Sequence, residues 1–388
     1  MRFKYQLLIL GDHVTNFPKL ESVLLSQIND LGIGRDNIVF LTENQADQLD
    51  SRAPQIAVFF GYKNASDASH ACLDKLLQDS VPILTCVNDL RRVNTNIPAS
   101  LIHINAFALS SAMRNWQRLA TLVLENFRLL RAERRLFISY KRSESEAIAI
   151  QLHEALNKAG FDVFLDTRSV PYGADFQSVL WHRMADSDVV VLLDTPNFRT
   201  SDWTQKELAQ ANATSIQILH LLWPTVSADK TAAFSKFHPL LASNFESSVQ
   251  IGHTARLTDK SLLSTVGEVE SLRARAIAAR HRNLVDNFCD QARDNGVKFV
   301  TVQPQRFISV ELSAGKKVAV VPIIGVPRAD LYQEIDTAVR EVGHTTNEVW
   351  VLFDERGLMD KWLNHLDWLN SYLPIAAVQV SKCAERLK

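Results

Sequence analysis

The chain has 388 residues, of which 46% are hydrophobic and 22% charged, with a formal net charge of -1. This is the composition of a soluble globular protein, and the length exceeds one ordinary core, so two or three domains are expected. The balanced charge gives no support to general binding of nucleic acid or of an anionic membrane.

The N-terminus, Met1-Arg2-Phe3-Lys4-Tyr5, runs directly into a short apolar strand rather than a signal peptide. No apolar run approaches the roughly 18 residues needed to cross a bilayer, so the expected location is the cytoplasm. Cys72, Cys86, Cys289 and Cys383 are scattered without metal-ligand spacing, and they read as free thiols of a reducing compartment. No metal is expected.

In the N-terminal third, Gln6 to Leu10 is a compact apolar run ended by Gly11-Asp12, a buried strand leaving a sheet. Leu20, Val23, Leu24, Ile28 and Leu31 recur at helical spacing, with Gly32 as the stop. Strands are predicted at 38–41, 56–60 and 81–84, with a helix over 68–77 between the last two and a long helix over 110–132 leading to the next domain. The alternation predicts an open, mostly parallel α/β sheet. Asp12 and His13 end the first strand, where ligands of such sheets often sit, but they read first as a polar turn. The order of elements loosely echoes that of the following segment.

The middle third opens with the strand Leu136 to Tyr140 and a polar turn, Lys141-Arg142-Ser143. Ile148, Leu152, Ala155, Leu156 and Ala159 form one helical stripe, and a second strand, Phe161 to Leu165, closes on Asp166. The loop 167–175 carries Tyr172 and Gly173, and Phe176, Val179, Leu180, Arg183 and Met184 mark the next helix. Val189 to Leu193 is a fully apolar central strand. The loop after it leads to Trp203 and Glu207, which lie one turn apart on one face if the segment is helical. A further strand spans 216–222, and 225–257 is a less regular stretch that completes this domain.

In the last third, 262–295 reads as a long helix, or two in series, rich in Arg and Ala and presenting a solvated basic face. Strands are predicted at 299–302, 307–310, 318–324, 349–353 and 375–380, with helices over 328–342 and 358–372. Trp362 and Trp368 read as packing or interface residues, and His153 and His182 as surface or packed histidines rather than catalytic ones.

Four pieces of the middle third, in order, resemble a Toll/interleukin-1 receptor (TIR) domain of the bacterial kind. They are Phe137-Ile138-Ser139-Tyr140-Lys141-Arg142, then Phe161 to Asp166 with the Gly173 loop, then Asp188 to Asp194, and finally Trp203-Thr204-Gln205-Lys206-Glu207-Leu208. The resemblance covers roughly 135–255. It implies a central flavodoxin-like domain with a parallel sheet over 131–258. The flanking α/β domains, 1–130 and 259–388, lie outside the resemblance and would serve regulation, oligomerisation or sensing. The first is either a degenerate TIR-like copy or a separate regulatory domain, and it contains no counterpart of the Trp203/Glu207 pair.

Many bacterial TIR domains cleave NAD+ at the nicotinamide–ribose bond, and the resemblance implies that activity here, with Glu207 as the catalytic carboxylate. Breaking that bond develops positive charge on the ribose, which a carboxylate on the sugar hydroxyls favours over the ground state. Trp203 would wall the sugar or stack on a ring, and Tyr172 and Phe176 would flank the base around Gly173. Lys141 and Arg142 meet phosphates or form a solvated turn. Asp166 contacts substrate or braces its loop, and Ser139 contacts ligand or bonds within the sheet. NAD+ enters as substrate, so no cofactor is implied.

The resemblance further implies self-association through TIR domains, with a phage component or a small nucleotide as trigger, and a setting of antiviral defence by NAD+ depletion. Cyclisation of the ADP-ribose product shares the first step. The alternative is a non-enzymatic TIR scaffold or a nucleotide-sensing adaptor, which would tolerate loss of Glu207.

Overall fold

Runs of β-branched and apolar residues too short for helices become strands, and the 3.6-periodic segments between them become the helices that cover both faces. A computed structural model describes residues 5–50, 53–65, 71–165, 176–198, 214–228, 235–303, 306–341 and 345–387. The chain divides into two compact units, 1–132 and 133–388.

The first unit contains β1 (Tyr5–Gly11), α1 (His13–Asp30), β2 (Ile38–Thr42), β3 (Gln55–Phe60), α2 (Ala71–Gln78), β4 (Ile83–Val87), α3 (Val93–Asn96), β5 (Phe107–Ala108) and α4 (Met113–Asn126). Its five strands are parallel in the order β2-β1-β3-β4-β5. Leu7 to Leu10 of β1, between β2 and β3, are all buried. Gly11 adopts a φ of +72°, and a Cβ there would stand 2.1 Å from the Phe60 carbonyl oxygen, so the close approach of β1 to β3 requires glycine.

Two local expectations change. Asp12 and His13 begin α1 rather than forming a separate turn, with His13 Nδ1 2.9 Å from the Gly11 carbonyl oxygen. The long helix expected over 110–132 is limited to Met113–Asn126, because Arg128 turns into the left-handed region at φ 57°. This helix packs on α1, where Gln27 donates to the Gln117 carbonyl at 3.3 Å. It therefore belongs to the first unit's own core.

The second unit begins with β6 (Arg135–Ser139), α5 (Arg142–Lys158), β7 (Asp162–Leu165), α6 (Phe176–Ala185), β8 (Val189–Asp194), β9 (Gln217–Leu222) and β10 (Ser235–Pro239). These strands are again parallel, in the order β10-β9-β8-β6-β7. Numbered from the first strand of each sheet, both sheets run 2-1-3-4-5, the flavodoxin-like order. The polar turn expected at 141–143 is shortened to Tyr140 and Lys141, since α5 already starts at Arg142 and departs from helical geometry only at Ser145. Within the irregular stretch, Ser235–Pro239 is the fifth strand, half-exposed at the sheet edge.

Next comes α7 (Asp259–Asp294), a single helix of 36 residues, ~54 Å long at the standard rise. Beyond it, β11 (Phe299–Val302), β12 (Ile308–Glu311), β13 (Lys317–Pro322), α8 (Ala329–Glu341), β14 (Glu348–Phe353), α9 (Asp360–Asn370) and β15 (Ile375–Gln379) form a third sheet. It runs β11-β12-β13-β14-β15, antiparallel across the first two pairings and parallel across the last two.

Helix α7 joins the second and third sheets. Val266, Val269, Leu272 and Ala276 enter the core with Leu219, Leu221 and Val191. Leu284, Phe288 and Ala292 pack with Val318, Trp350 and Leu352 of the third sheet. Among these, the larger side chains such as Val269, Leu272, Leu284 and Phe288 contribute about 1.5–3 kcal/mol each when buried. The solvated basic face expected for this helix is corrected at Arg273 and Arg280, both buried. Arg273 Nε donates to Asp188 at 2.7 Å, and Arg280 donates to the carbonyls of Ser187 and Ala185 at 2.8 and 2.6 Å. Glu270 of the same helix binds Arg134 through both its oxygens.

Candidate functional site

Ligands of open parallel sheets bind outside the carboxyl ends of the strands. In the second sheet this edge is formed where β6 passes into α5 and β8 passes into the loop 195–198. Residue alternation sorts the side chains onto two faces. Phe137 and Ser139 of β6, Val190, Leu192 and Asp194 of β8, and Ile218 and His220 of β9 share the face that also carries Leu180 and Met184 of α6.

Ser139 is 2% exposed, and its hydroxyl has no partner among the described residues. It stands level with Leu192 across β6 and β8, and Leu192 stands level with His220 across β8 and β9. A buried hydroxyl without a partner is costly, which sets Ser139 apart from the apolar side chains around it.

Lys141 lies between β6 and α5. Its ammonium donates to the Asn197 carbonyl at 2.9 Å and stands 3.6 Å from Glu144. Glu144 in turn accepts from the Asn197 side-chain amide at 2.8 Å and from its backbone N–H at 3.3 Å. Burial works to raise the Glu144 carboxyl, but interactions with Thr195 and Asn197 and the Lys141 charge outweigh it and hold the group below the ordinary carboxylate range. The three residues clamp the loop after β8 onto the start of α5. Lys141 thus serves the loop in this structure, while Arg142, the first residue of α5, is exposed.

Asp194 is fully buried at the end of β8, and its carboxylate oxygen lies 3.4 Å from His220 Nδ1. His220 Nε2 lies 3.2 Å from the Ser235 hydroxyl. Glu144, Asn197, His220 and Ser235 were not singled out by sequence reasoning. One signal was available for His220: it is the single polar residue in the run Ile218-Leu219-His220-Leu221-Leu222. Nothing comparable marks Glu144, whose partners come from a segment more than fifty residues away.

Of the other expected site residues, Glu207, Trp203, Asp166, Tyr172 and Gly173 lie outside the described residues, as does the side chain of Phe176, which opens α6. The described rim therefore brings Ser139, Lys141 and Asp194 to one strand edge, from which the chain runs on toward Trp203 and Glu207. His182 is packed, its ring stacked on Trp362 of α9 at 5.6 Å. Trp362 is thus a packing residue, while Trp368 is 56% exposed. Among the described residues no cluster of three or more potential metal ligands occurs, and no helix is long and apolar enough to cross a membrane. All four cysteines are free.

Residues 136–248 match the family model described as TIR domain. No curated protein matches the chain. Among solved structures, the apo-structure of D-lactate dehydrogenase from Escherichia coli resembles it at 13% identity, covering 69% of this chain and 94% of that one. The TM-score is 0.17, and the likeness carries no argument about fold or activity.

Proposed function

We propose that this chain, a TIR-domain protein over residues 136–248, cleaves NAD+ at the nicotinamide–ribose bond with Glu207 as the catalytic carboxylate. The observation that carries the reading is the placement of Trp203 and Glu207, four residues apart, within the matched segment. As nicotinamide leaves as a neutral group, charge passes to the ribose. A carboxylate bound to the sugar hydroxyls then gains more from the transition state than from the substrate. One carboxylate suffices, because the leaving group needs no proton.

The strand-edge geometry supports the same reading. The Lys141–Asn197–Glu144 clamp fixes the start of the segment that carries Trp203, and Ser139 offers a buried hydroxyl at the carboxyl edge. Rigid placement of this kind is what a reaction governed by orientation requires. We extend the proposal to assembly: copies associate through their TIR domains, with the Gly173 loop shared between neighbours. NAD+ depletion then serves antiviral defence. The third sheet is placed to influence this step, because Trp362 stacks on His182 of α6, the helix that follows the Gly173 loop.

The experiment is fluorescence release from 1,N6-etheno-NAD+ across a range of protein concentrations. The account predicts a rate per molecule that rises with concentration. A complete lack of release at every concentration would assign the chain to non-enzymatic scaffolding.

A further inference from the structure

On the face of the second sheet shared with Ser139, three consecutive neighbouring strands each contribute one polar side chain to a continuous line. Asp194 of β8 faces His220 Nδ1 at 3.4 Å, and Ser235 of β10 faces His220 Nε2 at 3.2 Å. We propose that Ser235, His220 and Asp194 form a second reactive site, in which His220 activates the Ser235 hydroxyl for attack on small carboxylic esters. The proposal goes beyond NAD+ cleavage and does not depend on it.

The assignment of partners to ring nitrogens is the specific feature. The carboxylate meets Nδ1 and the hydroxyl meets Nε2, which is the arrangement that lets imidazole accept a proton at Nε2 while Nδ1–H stays held. A histidine retained for packing alone would need no carboxylate, and an apolar residue at that position of β9 would avoid burying a polar ring. His220 is 1% exposed and Asp194 fully buried, so bulk solvent screens their interaction only weakly. The separations are looser than finished hydrogen bonds, as is common in sites that tighten on binding substrate.

Access and selectivity follow from the edge strand. β10 is half-exposed along most of its length, so Ser235 can be approached from solvent. Phe237, two residues on and therefore on the same face, lies with its ring 4.8 Å from that of His220. It forms an apolar wall that favours a small acyl group.

The reaction balances without a cofactor. Ser235 Oγ bonds to the ester carbonyl carbon as its proton passes to His220 Nε2. The carbon–alkoxy bond then breaks and the alcohol leaves with that proton. Water, deprotonated by His220, releases the carboxylic acid and restores the serine. Asp194 positions the ring and stabilises its charged form throughout.

The test uses the full chain and a fluorophosphonate probe, whose fluoride a reactive serine displaces, with labelled peptides mapped by mass spectrometry. Native protein should be labelled at Ser235 at least about tenfold faster than urea-denatured protein, and His220→Gln should remove most of that advantage. Ser235 left unlabelled, or labelled equally fast in native and denatured protein, overturns the proposal without reference to any variant. Equal labelling of folded His220→Gln overturns the role of His220. Should that variant fail to fold, Asp194→Asn gives the same comparison with less change of shape.

Discussion

Arg273 and Asp188 meet at 2.7 Å with neither side chain accessible to solvent. The pair fixes the middle of α7 against the residue that immediately precedes β8, the central strand of the second sheet. Two unlike charges buried together are held by geometry rather than by net gain, so breaking the pair costs more than forming it returns. Arg273→Met leaves the Asp188 charge without its guanidinium and should cost about 3–5 kcal/mol in urea denaturation. The double variant Arg273→Met/Asp188→Leu should recover most of that loss. Equal stability of Arg273→Met and wild type would contradict the assignment.

Stability should also depend on pH through two histidines. Burial pushes His182 down to about 4, against the opposing pull of Asp186, and burial pushes His281 down to about 3. Both folded values lie below the ordinary value near 6.5, so between these limits the unfolded chain binds more protons than the folded one. Stability is therefore full above pH ~6.5 and falls as the pH drops toward 4. His182→Phe keeps the stack on Trp362 and removes one titrating group. It should flatten the urea midpoint against pH in that window, and an unchanged slope would rule His182 out.

Gly11 tests the close approach of β1 and β3. Gly11→Ala places a Cβ 2.1 Å from the Phe60 carbonyl in a left-handed backbone, and should cost roughly 2 kcal/mol or more. Gly34→Ala, in the same unit, meets only the Asn37 side chain at 3.4 Å and should change stability little. Thermal denaturation of the two variants side by side distinguishes a steric requirement from a general dislike of substitution.

Asn197→Ala removes the amide that Glu144 accepts and loosens the loop leading to Trp203. Under the proposed activity, nicotinamide release should fall about tenfold or more, since misplacing a catalytic segment is expensive even when no reacting group is lost. The melting temperature should move little. A large loss of stability with unchanged specific activity would show the clamp to be purely structural.

Much of this fold was legible because buried parallel strands write themselves as apolar runs. Tyr5–Gly11, Val189–Asp194 and Glu348–Phe353 each fall within a residue or two of expectation. Ser235–Pro239 escaped because an edge strand buries little, and Ser-Lys-Phe-His-Pro carries no strong pattern. The arginines of α7 misled for the opposite reason: charge in a helix suggests solvent, and only the third dimension supplies Asp188 and the strand-end carbonyls. The pairing of Glu144 with Asn197, and of His220 with residues on two other strands, is likewise a product of topology. The four ordered motifs did carry the TIR domain: all of them fall within the matched segment, and the first three overlap the strands β6, β7 and β8 of this sheet.

The most direct measurement is chromatographic quantification of nicotinamide released from NAD+ by concentrated wild-type protein and by Glu207→Ala at matched concentration and oligomeric state. The account predicts release by wild type and a loss of about a hundredfold or more in the variant, the scale of removing a principal electrostatic group. Equal release by the two proteins would contradict it.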